Sequence, residues 1–278
     1  MVTLLCPVRG CRRALVREER RVICSGGHSF DVARSGYVNL LQPQDRRSPR
    51  PGDSPAALKA RRRFISRGFE APITAAITDL LDVDSTDAVL ETGCGEGHQL
   101  AAIAARSGCE AHGIDISVAA IDAAARRHPE LHLVVANADR ALPYATASFR
   151  AAASITGRRN AVELRRVLRD DGALLVVIPG PDDLIELREV ILGEGLVRDR
   201  VDHAIAAFAP FFTLERHQRL RHVERLDAEA LADVMISSYR AGRASRLARL
   251  SSLDSLDVTL SRDALLFRST TRASHLRQ

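Results

Sequence analysis

The chain has 278 residues, 46% of them hydrophobic and 27% charged, which suits one α/β domain with a small appendage and excludes a disordered chain. The net charge is +5 and comes almost wholly from Arg, since Lys59 is the only lysine; an RNA partner or an Arg-rich codon usage would each explain it. No apolar run is long enough to cross a membrane and no signal-peptide pattern begins the chain, so we expect a cytoplasmic protein without a membrane partner.

The N-terminal segment carries three of the five cysteines within its first 24 residues. Four residues separate Cys6 from Cys11, and three separate Cys24 from His28. A structural zinc ion takes four such ligands in a tetrahedron, commonly as two close pairs, and clustered cysteines in a cytosolic chain indicate metal rather than disulfides. We therefore predict a structural Zn²⁺ in a module of residues 1–41. The alternative is three incidental cysteines and a surface histidine.

The segment after this module is polar and rich in proline, which predicts a linker over residues 42–55 and a second domain over residues 56–278. Ser54 and Pro55 are suited to begin a helix that continues over Ala56–Arg67. Apolar residues at helical spacing indicate a second helix over residues 73–81.

Strands and helices then alternate along the chain, and repeated β-α-β units imply a doubly wound parallel sheet. Near the end of the chain, Val258–Leu260 and Ala264–Phe267 are predicted to form a hairpin. The preceding predictions are strands at Ala88–Glu91, Glu110–Ile114, Leu131–Ala136, Ala151–Ile155 and Ala173–Ile178, and helices at Gly97–Arg106, Ser117–Arg127, Asn160–Leu168 and around Asp183–Leu192.

A glycine-rich loop joins the first of these strands to its helix, in a spacing that differs from the dinucleotide-binding pattern. Asp115 ends the next strand, where a carboxylate can accept both ribose hydroxyls, and Asn137 follows the third strand, where an amide can contact adenine. A dehydrogenase or another nucleotide-binding protein is the alternative to a methyltransferase. The predicted cofactor residues are Glu91, Gly93, Gly95, Gly97, His98, Asp115 and Asn137.

Glu91 and the loop after it resemble the first motif of class I methyltransferases, in which the carboxylate faces the methionine part of S-adenosylmethionine. The resemblance implies a Rossmann-like α/β fold. Several segments are also similar to the large-subunit rRNA guanine-N1 methyltransferases of the RlmA and TlrB type. These segments are Cys24–Leu41, Pro51–Ser54 with Ala60–Arg62, Gly93–Gly97, and Pro179–Pro181 with Leu184 and Glu186–Leu187.

This family resemblance implies methylation of guanine N1 in a 23S rRNA hairpin near the peptide exit tunnel, by a homodimer that uses S-adenosylmethionine. In the tylosin-resistance branch it also implies a contribution to macrolide resistance. The chain departs from the family pattern at Phe69-Glu70, at Thr156-Gly157-Arg158 and at Asp183. By motif position Glu70 and Asp183 are candidates for the base that accepts the N1 proton, with ordinary surface carboxylates as the alternative.

Guanine N1 is hidden in a duplex, so the base must come from a loop or be flipped out. Tyr37 is a candidate for stacking on it, or else a core residue of the zinc module. Two rival functions remain: a small-molecule methyltransferase, which needs no zinc module, and a non-catalytic RNA-binding protein, which the altered residues after Ile155 suggest. Two groups of arginines are candidates for phosphate contacts or for solvated helix faces: Arg46, Arg47, Arg50, Arg61, Arg62, Arg63 and Arg67, and Arg158, Arg159, Arg165 and Arg166.

Overall fold

A computed structural model describes residues 2–45, 51–157, 159–193, 195, 197–238 and 253–270. Its N-terminal part contains a small antiparallel sheet of three strands, β1 (Leu15–Arg17), β2 (Arg21–Cys24) and β3 (Ser29–Asp31). A short strand, β4 (Val38–Asn39), follows them.

The rest of the chain is built around one large sheet whose strand order is β10-β11-β9-β8-β5-β6-β7-β4. The strands from β9 to β4 in this order are parallel, and β11 runs antiparallel to both β9 and β10. The strands are β5 (Ala88–Thr92), β6 (Glu110–Asp115), β7 (His132–Val135), β8 (Phe149–Ile155), β9 (Leu168–Pro179), β10 (Phe212–Asp227) and β11 (Ser255–Ser269).

Helices cover both faces of this sheet because its strands are apolar on both sides, as buried parallel strands require. In β5, Val89 packs into the core on one face and Leu90 into the core on the other. The first core contains residues of α1, α2, α3, α4, α6 and α8, and the second contains residues of α5 and α7. These helices are α1 (Pro55–Ser66), α2 (Ala71–Asp79), α3 (His98–Ser107), α4 (Val118–Arg127), α5 (Ala161–Val167), α6 (Ile185–Leu192), α7 (Val201–Phe208) and α8 (Ala228–Ser238).

The start of α1 agrees with its sequence prediction, because Ser54 Oγ accepts a hydrogen bond from Ala57 N and Pro55 is the first helical residue. Within the described part of the chain, no helix is both long and apolar enough to cross a membrane.

The hairpin predicted for Val258–Leu260 and Ala264–Phe267 is wrong. Both segments belong to one continuous strand, β11, which pairs with β10 along one edge and with β9 along the other. The charged residues Arg262 and Asp263 remain in the extended strand because residues of other elements pair with them: Arg262 pairs with Asp183, and Asp263 Oδ1 lies 2.9 Å from Arg219 Nε.

The N-terminal segment is joined to the large sheet and does not hang from it as a separate body. Val38 pairs in parallel with Val134 of β7, and Leu40 N donates to Val135 O at 2.9 Å. Leu5 N also donates to Pro143 O at 2.9 Å. The metal-binding segment therefore packs against the β7 edge. The boundary at residue 41 stays a prediction, since β4 lies before it and inside the sheet.

Candidate metal and cofactor sites

The predicted zinc ligands come together at the base of the small sheet. Cys6 Sγ and Cys24 Sγ each lie 3.5 Å from His28 Nδ1, and Cys11 Sγ lies 3.7 Å from Cys24 Sγ. All the donor atoms lie within 4.8 Å of one another. Zn–S bonds of about 2.3 Å and Zn–N bonds of about 2.0 Å in a tetrahedron set S···S at about 3.8 Å and S···N at about 3.5 Å. The donors fit Zn²⁺, and with the ligand set complete the ion is structural.

Tight turns hold both ligand pairs in this arrangement. In the first pair, Cys11 N donates to Val8 O at 3.0 Å, and Gly10 has a φ of +78° that favours glycine. In the second, Gly27 N donates to Cys24 O at 2.9 Å and Cys24 N donates to His28 O at 3.0 Å. The chain thus curls back within each pair and points the side chains to a common centre.

The glycine-rich loop leaves the carboxyl end of β5 and leads into α3. Gly93, Gly95 and Gly97 have φ values of +72°, +54° and +77°, a conformation that side chains disfavour. A Cβ atom on Gly97 would lie only 3.1 Å from Leu131 Cδ1. The three glycines are therefore needed for the loop to turn and for a ligand to approach the backbone.

Asp115 is fixed beside this loop by the chain's own amides. Its Oδ2 accepts from Gly95 N at 3.0 Å, and its Oδ1 accepts from Ser117 N at 2.8 Å. Burial raises the pKa of Asp115 above its ordinary value, although these amides oppose the effect. Each carboxylate oxygen keeps a lone pair, so the group can still accept from a pair of ligand hydroxyls.

Glu91 is the buried carboxyl beneath the loop, with only 3% of its surface exposed. Its Oε2 has no hydrogen-bond partner among the described residues. Burial, together with the negative charge of Asp115, raises the pKa of Glu91 to about 8. A buried polar atom without a partner is rare in folded proteins. The ammonium of a methionine moiety would supply that partner, so the residues present fit S-adenosylmethionine.

The remaining predicted cofactor residues border the same end of the sheet in different ways. His98 is the first residue of α3, and its Nε2 lies 3.5 Å from Thr74 Oγ1; burial lowers its pKa. Asn137 follows β7, but its Nδ2 donates to Asp45 O at 2.9 Å and its Oδ1 accepts from Asp139 N at 3.0 Å. The side chain of Asn137 thus binds the segment around Asp45, which follows the zinc module. Its contact with adenine stays a prediction.

A largely covered arginine, Arg262, which the sequence did not indicate, pairs with both of the acids suggested by motif position. Arg262 Nη2 lies 3.2 Å from Glu70 Oε1, and Arg262 Nη1 pairs with Asp183. Arg61 Nη2 lies 3.4 Å from the other oxygen of Glu70. Arg262 is 192 positions from Glu70, so only the fold brings these charges together. Neither acid is an isolated surface carboxylate.

The predicted basic groups are largely engaged in ion pairs within the chain. Arg62 pairs with Glu96, Arg63 with the fully buried Asp233, and Arg67 with Asp227. Arg165 pairs with Asp170 and Arg166 with Glu163. Arg46, Arg47, Arg50 and Arg158 lie outside the described residues, and Arg159 is exposed.

Tyr37, the stacking candidate, lies in the main hydrophobic core with only 9% of its surface exposed. Tyr37 is thus a core residue, but of the main core that includes the helices of the large sheet and not of the zinc module alone, and its stacking on the target base stays a prediction.

Comparisons with known proteins match both the N-terminal segment and the glycine-rich-loop domain of the chain. Residues 4–49 match the family model described as RlmA, N-terminal, and residues 89–172 match that of a methyltransferase domain. The chain is 36% identical over 238 residues to the 23S rRNA (guanine(748)-N(1))-methyltransferase of Streptomyces fradiae. The matched region covers 84% of this chain and 83% of the relative.

Two further relatives show the same likeness. A candidate 23S rRNA (guanine-N(1)-)-methyltransferase of Bacillus subtilis is 33% identical over 223 residues, which cover 76% of this chain and 77% of the relative. A crystal structure of a candidate methyltransferase from Bacillus halodurans matches with a TM-score of 0.52 at 14% identity, over 71% of this chain and 99% of that one.

The structural match confirms the predicted fold, and the sequence matches confirm the predicted resemblance, including its zinc-binding N-terminal part. The protein is accordingly a methyltransferase whose cofactors are S-adenosylmethionine and a structural zinc ion. The chain belongs to the family of 23S rRNA (guanine-N1) methyltransferases.

Proposed function

We propose that this chain transfers a methyl group from S-adenosylmethionine to N1 of a guanine in a 23S rRNA hairpin near the peptide exit tunnel. The observation that carries the proposal is the buried Glu91 carboxyl beneath the glycine-rich loop, whose Oε2 has no partner among the described residues, in a chain whose relatives are named for this reaction. The same proposal includes a homodimer in the cytoplasm and a link to macrolide resistance, on the strength of the family resemblance.

The residues of the chain bind and orient the reactants. The cofactor supplies an electrophilic methyl group on a sulfonium sulfur. Glu91 is suited to hold its ammonium group and Asp115 its ribose hydroxyls, while the loop lets the backbone approach closely. In-line displacement needs the nucleophile and the methyl group to be held in near-attack geometry, so positioning by these residues is the main contribution to the rate.

Primer extension on 23S rRNA tests this proposal directly. The rRNA is incubated with purified protein, with and without S-adenosylmethionine, as naked RNA and as ribosomal particles. A methyl group on N1 blocks Watson–Crick pairing, so we expect a cofactor-dependent stop in the exit-tunnel hairpin. The absence of any new stop on both substrates would contradict the proposal and favour a small-molecule acceptor or a protein that binds RNA without catalysis.

A further inference from the structure

Three largely covered charged side chains, Glu70, Arg262 and Asp183, pair with one another at the carboxyl end of the sheet. In the sheet, Arg262 of β11 lies opposite Pro179, the last residue of β9. Strand β9 pairs with β8, and β8 pairs with β5, the strand that leads into the cofactor loop. The positive charge of Arg61 acts to lower the pKa of both Glu91 and Glu70. The negative charge of Glu70 acts to raise the pKa of His98 at the start of α3. The Glu70–Arg262–Asp183 triad therefore lies at the same carboxyl end of the sheet as the cofactor loop, where open α/β sheets bind ligands.

The chemistry proposed for the site requires a proton acceptor. Guanine N1 carries a proton at neutral pH, and its lone pair becomes a good nucleophile only when that proton leaves. A carboxylate accepts from the N–H groups of a guanine Watson–Crick edge in the same way as it accepts from other amide-like donors. The acids of the triad are thus candidates of the right type.

The two acids of the triad differ in their capacity to act as a base. Burial raises the pKa of Glu70, but Arg61 and Arg262 outweigh it, so the net pKa lies below its ordinary value. Burial raises the pKa of Asp183, and here the effect prevails over Arg262. Two neighbouring cations lower the proton affinity of the Glu70 carboxylate, so Asp183 is the better proton acceptor.

The geometry of Asp183 points to the same choice. Ser261 N donates to its Oδ1 at 2.9 Å, and Arg262 pairs with that same oxygen. Both hydrogen bonds from the described residues thus end on Oδ1, which orients the carboxylate and leaves Oδ2 available. The other nearby charges are turned elsewhere: Asp182 Oδ2 lies 2.7 Å from Arg221 Nε, and Glu186 accepts from Thr259.

We propose that Asp183 accepts the N1 proton of the target guanine, and that Arg262 and Glu70 are positioning residues that aim its free oxygen. This inference rests on the proposed function. As the N1–methyl bond forms, the carbon–sulfur bond breaks and its electron pair stays on sulfur. The N1 proton moves to Asp183 Oδ2 and is later released to water, so charge and atoms balance.

Single-turnover methylation of 23S rRNA across pH 6 to 9 tests this inference with the full-length protein. For Asp183→Asn we expect a rate loss of about 100-fold or more at neutral pH, the range typical of a lost general base. The residual rate should climb tenfold with each pH unit, since guanine must then lose its proton to solvent. The wild type should be level over the same range, and the affinity for S-adenosylmethionine should be unchanged.

Two further variants separate the chemistry from folding. Asp182→Asn is the matched control, because the adjacent acid pairs with Arg221 and not with Arg262, and we expect a wild-type rate and profile. Asp183→Glu keeps a carboxylate and should keep the level pH profile even if its rate falls. A wild-type rate or a level profile in Asp183→Asn would overturn this inference alone. A wild type that methylates no guanine would overturn the proposed function as well.

Discussion

Glu91 and Asp115 are held in different ways, and the difference sets what each can do. Asp115 accepts from two backbone amides, whereas one oxygen of Glu91 has no partner within the described chain. With a pKa of about 8, Glu91 is largely protonated at neutral pH until a cationic group approaches it. Binding of a positively charged cofactor should therefore release a proton from Glu91.

Replacing Asp115 tests the ribose contact at the residue scale. Asp115→Asn keeps the shape but removes the charge and turns one acceptor into a donor facing a backbone N–H. Because hydrogen bonds to charged groups contribute about 1.5–3 kcal/mol, the dissociation constant of S-adenosylmethionine should rise by roughly 10- to 150-fold. Isothermal titration calorimetry measures the change.

Asp122→Asn is the matched control for this experiment. Asp122 is an acid on α4 that binds Ser35 and Arg126, away from the loop. We expect the control variant to keep wild-type affinity. Equal affinities for the cofactor in both variants would show that Asp115 does not hold the ribose.

His112 gives the fold a pH dependence of its own. Its Nε2 lies 3.0 Å from Glu110 Oε1, its ring stacks on His132, and burial lowers its pKa to about 4. The unfolded chain takes up this proton near pH 6.5 and the folded chain only near 4, so the unfolded state binds more protons in between. The free energy of unfolding should thus fall by up to about 3 kcal/mol as pH drops through that window.

Urea denaturation of His112→Gln at pH 7 and at pH 4.5 measures this contribution. The variant should lose much less stability between the two pH values than the wild type. His203→Gln, an exposed position on α7, serves as the control and should behave as the wild type does. If His112→Gln loses as much stability as the wild type, the buried histidine is not responsible for the acid sensitivity.

Among the elements, the parallel core was predictable and the antiparallel end was not. Strands β5 to β9 are short apolar runs followed by amphipathic helices or turns, so periodicity alone identifies most of them. β10 was missed because it is an exposed edge strand rich in Arg, His and Glu, without apolar alternation. β11 was divided in two because Arg262 and Asp263 resemble a turn, and their partners Asp183 and Arg219 are distant in sequence.

The functional residues divide in the same way. The zinc ligands, the glycine-rich loop and Asp115 are recognisable because their spacing is local or tied to strand ends. The sequence around Arg262 has no such local pattern, because the role of this residue depends on its ion pairs with Glu70 and Asp183, which belong to other parts of the chain. The ion pairs of Arg62, Arg63 and Arg67 were equally hidden, because a basic run looks alike whether it faces phosphate or protein acids.

Removal of zinc tests the N-terminal strands as a unit. The small sheet has few buried apolar residues, so the metal should supply much of its folding energy. After chelation we expect β1 to β3 to lose protection against amide hydrogen exchange, while β5 to β9 stay protected and bind the cofactor. RNA affinity should fall. Lower pH should weaken zinc binding, because its ligands must be deprotonated.

Two cysteine variants control this experiment. Cys24→Ser removes a ligand and should reproduce the effect of chelation, whereas Cys109→Ser alters a cysteine outside the cluster and should retain zinc. If the chelated protein keeps protected β1 to β3 strands and unchanged RNA affinity, the ion does not hold this part of the fold.

Across the whole molecule, the strand order places three functional regions side by side. The zinc module adjoins β7 through β4, the cofactor loop lies at β5 and β6, and the Glu70–Arg262–Asp183 triad lies at β9 and β11. An RNA hairpin gripped by the zinc module would therefore extend along the edge of the sheet that carries the methyl donor and the acid.

Mass spectrometry of the nucleosides from treated 23S rRNA tests the central claim most directly. The rRNA is incubated with the protein and S-adenosylmethionine carrying an isotopically labelled methyl group, then digested to nucleosides and compared with a sample lacking protein. We predict that the label appears in 1-methylguanosine. Label in another nucleoside, or no label in RNA from either naked or ribosomal substrate, would contradict the account.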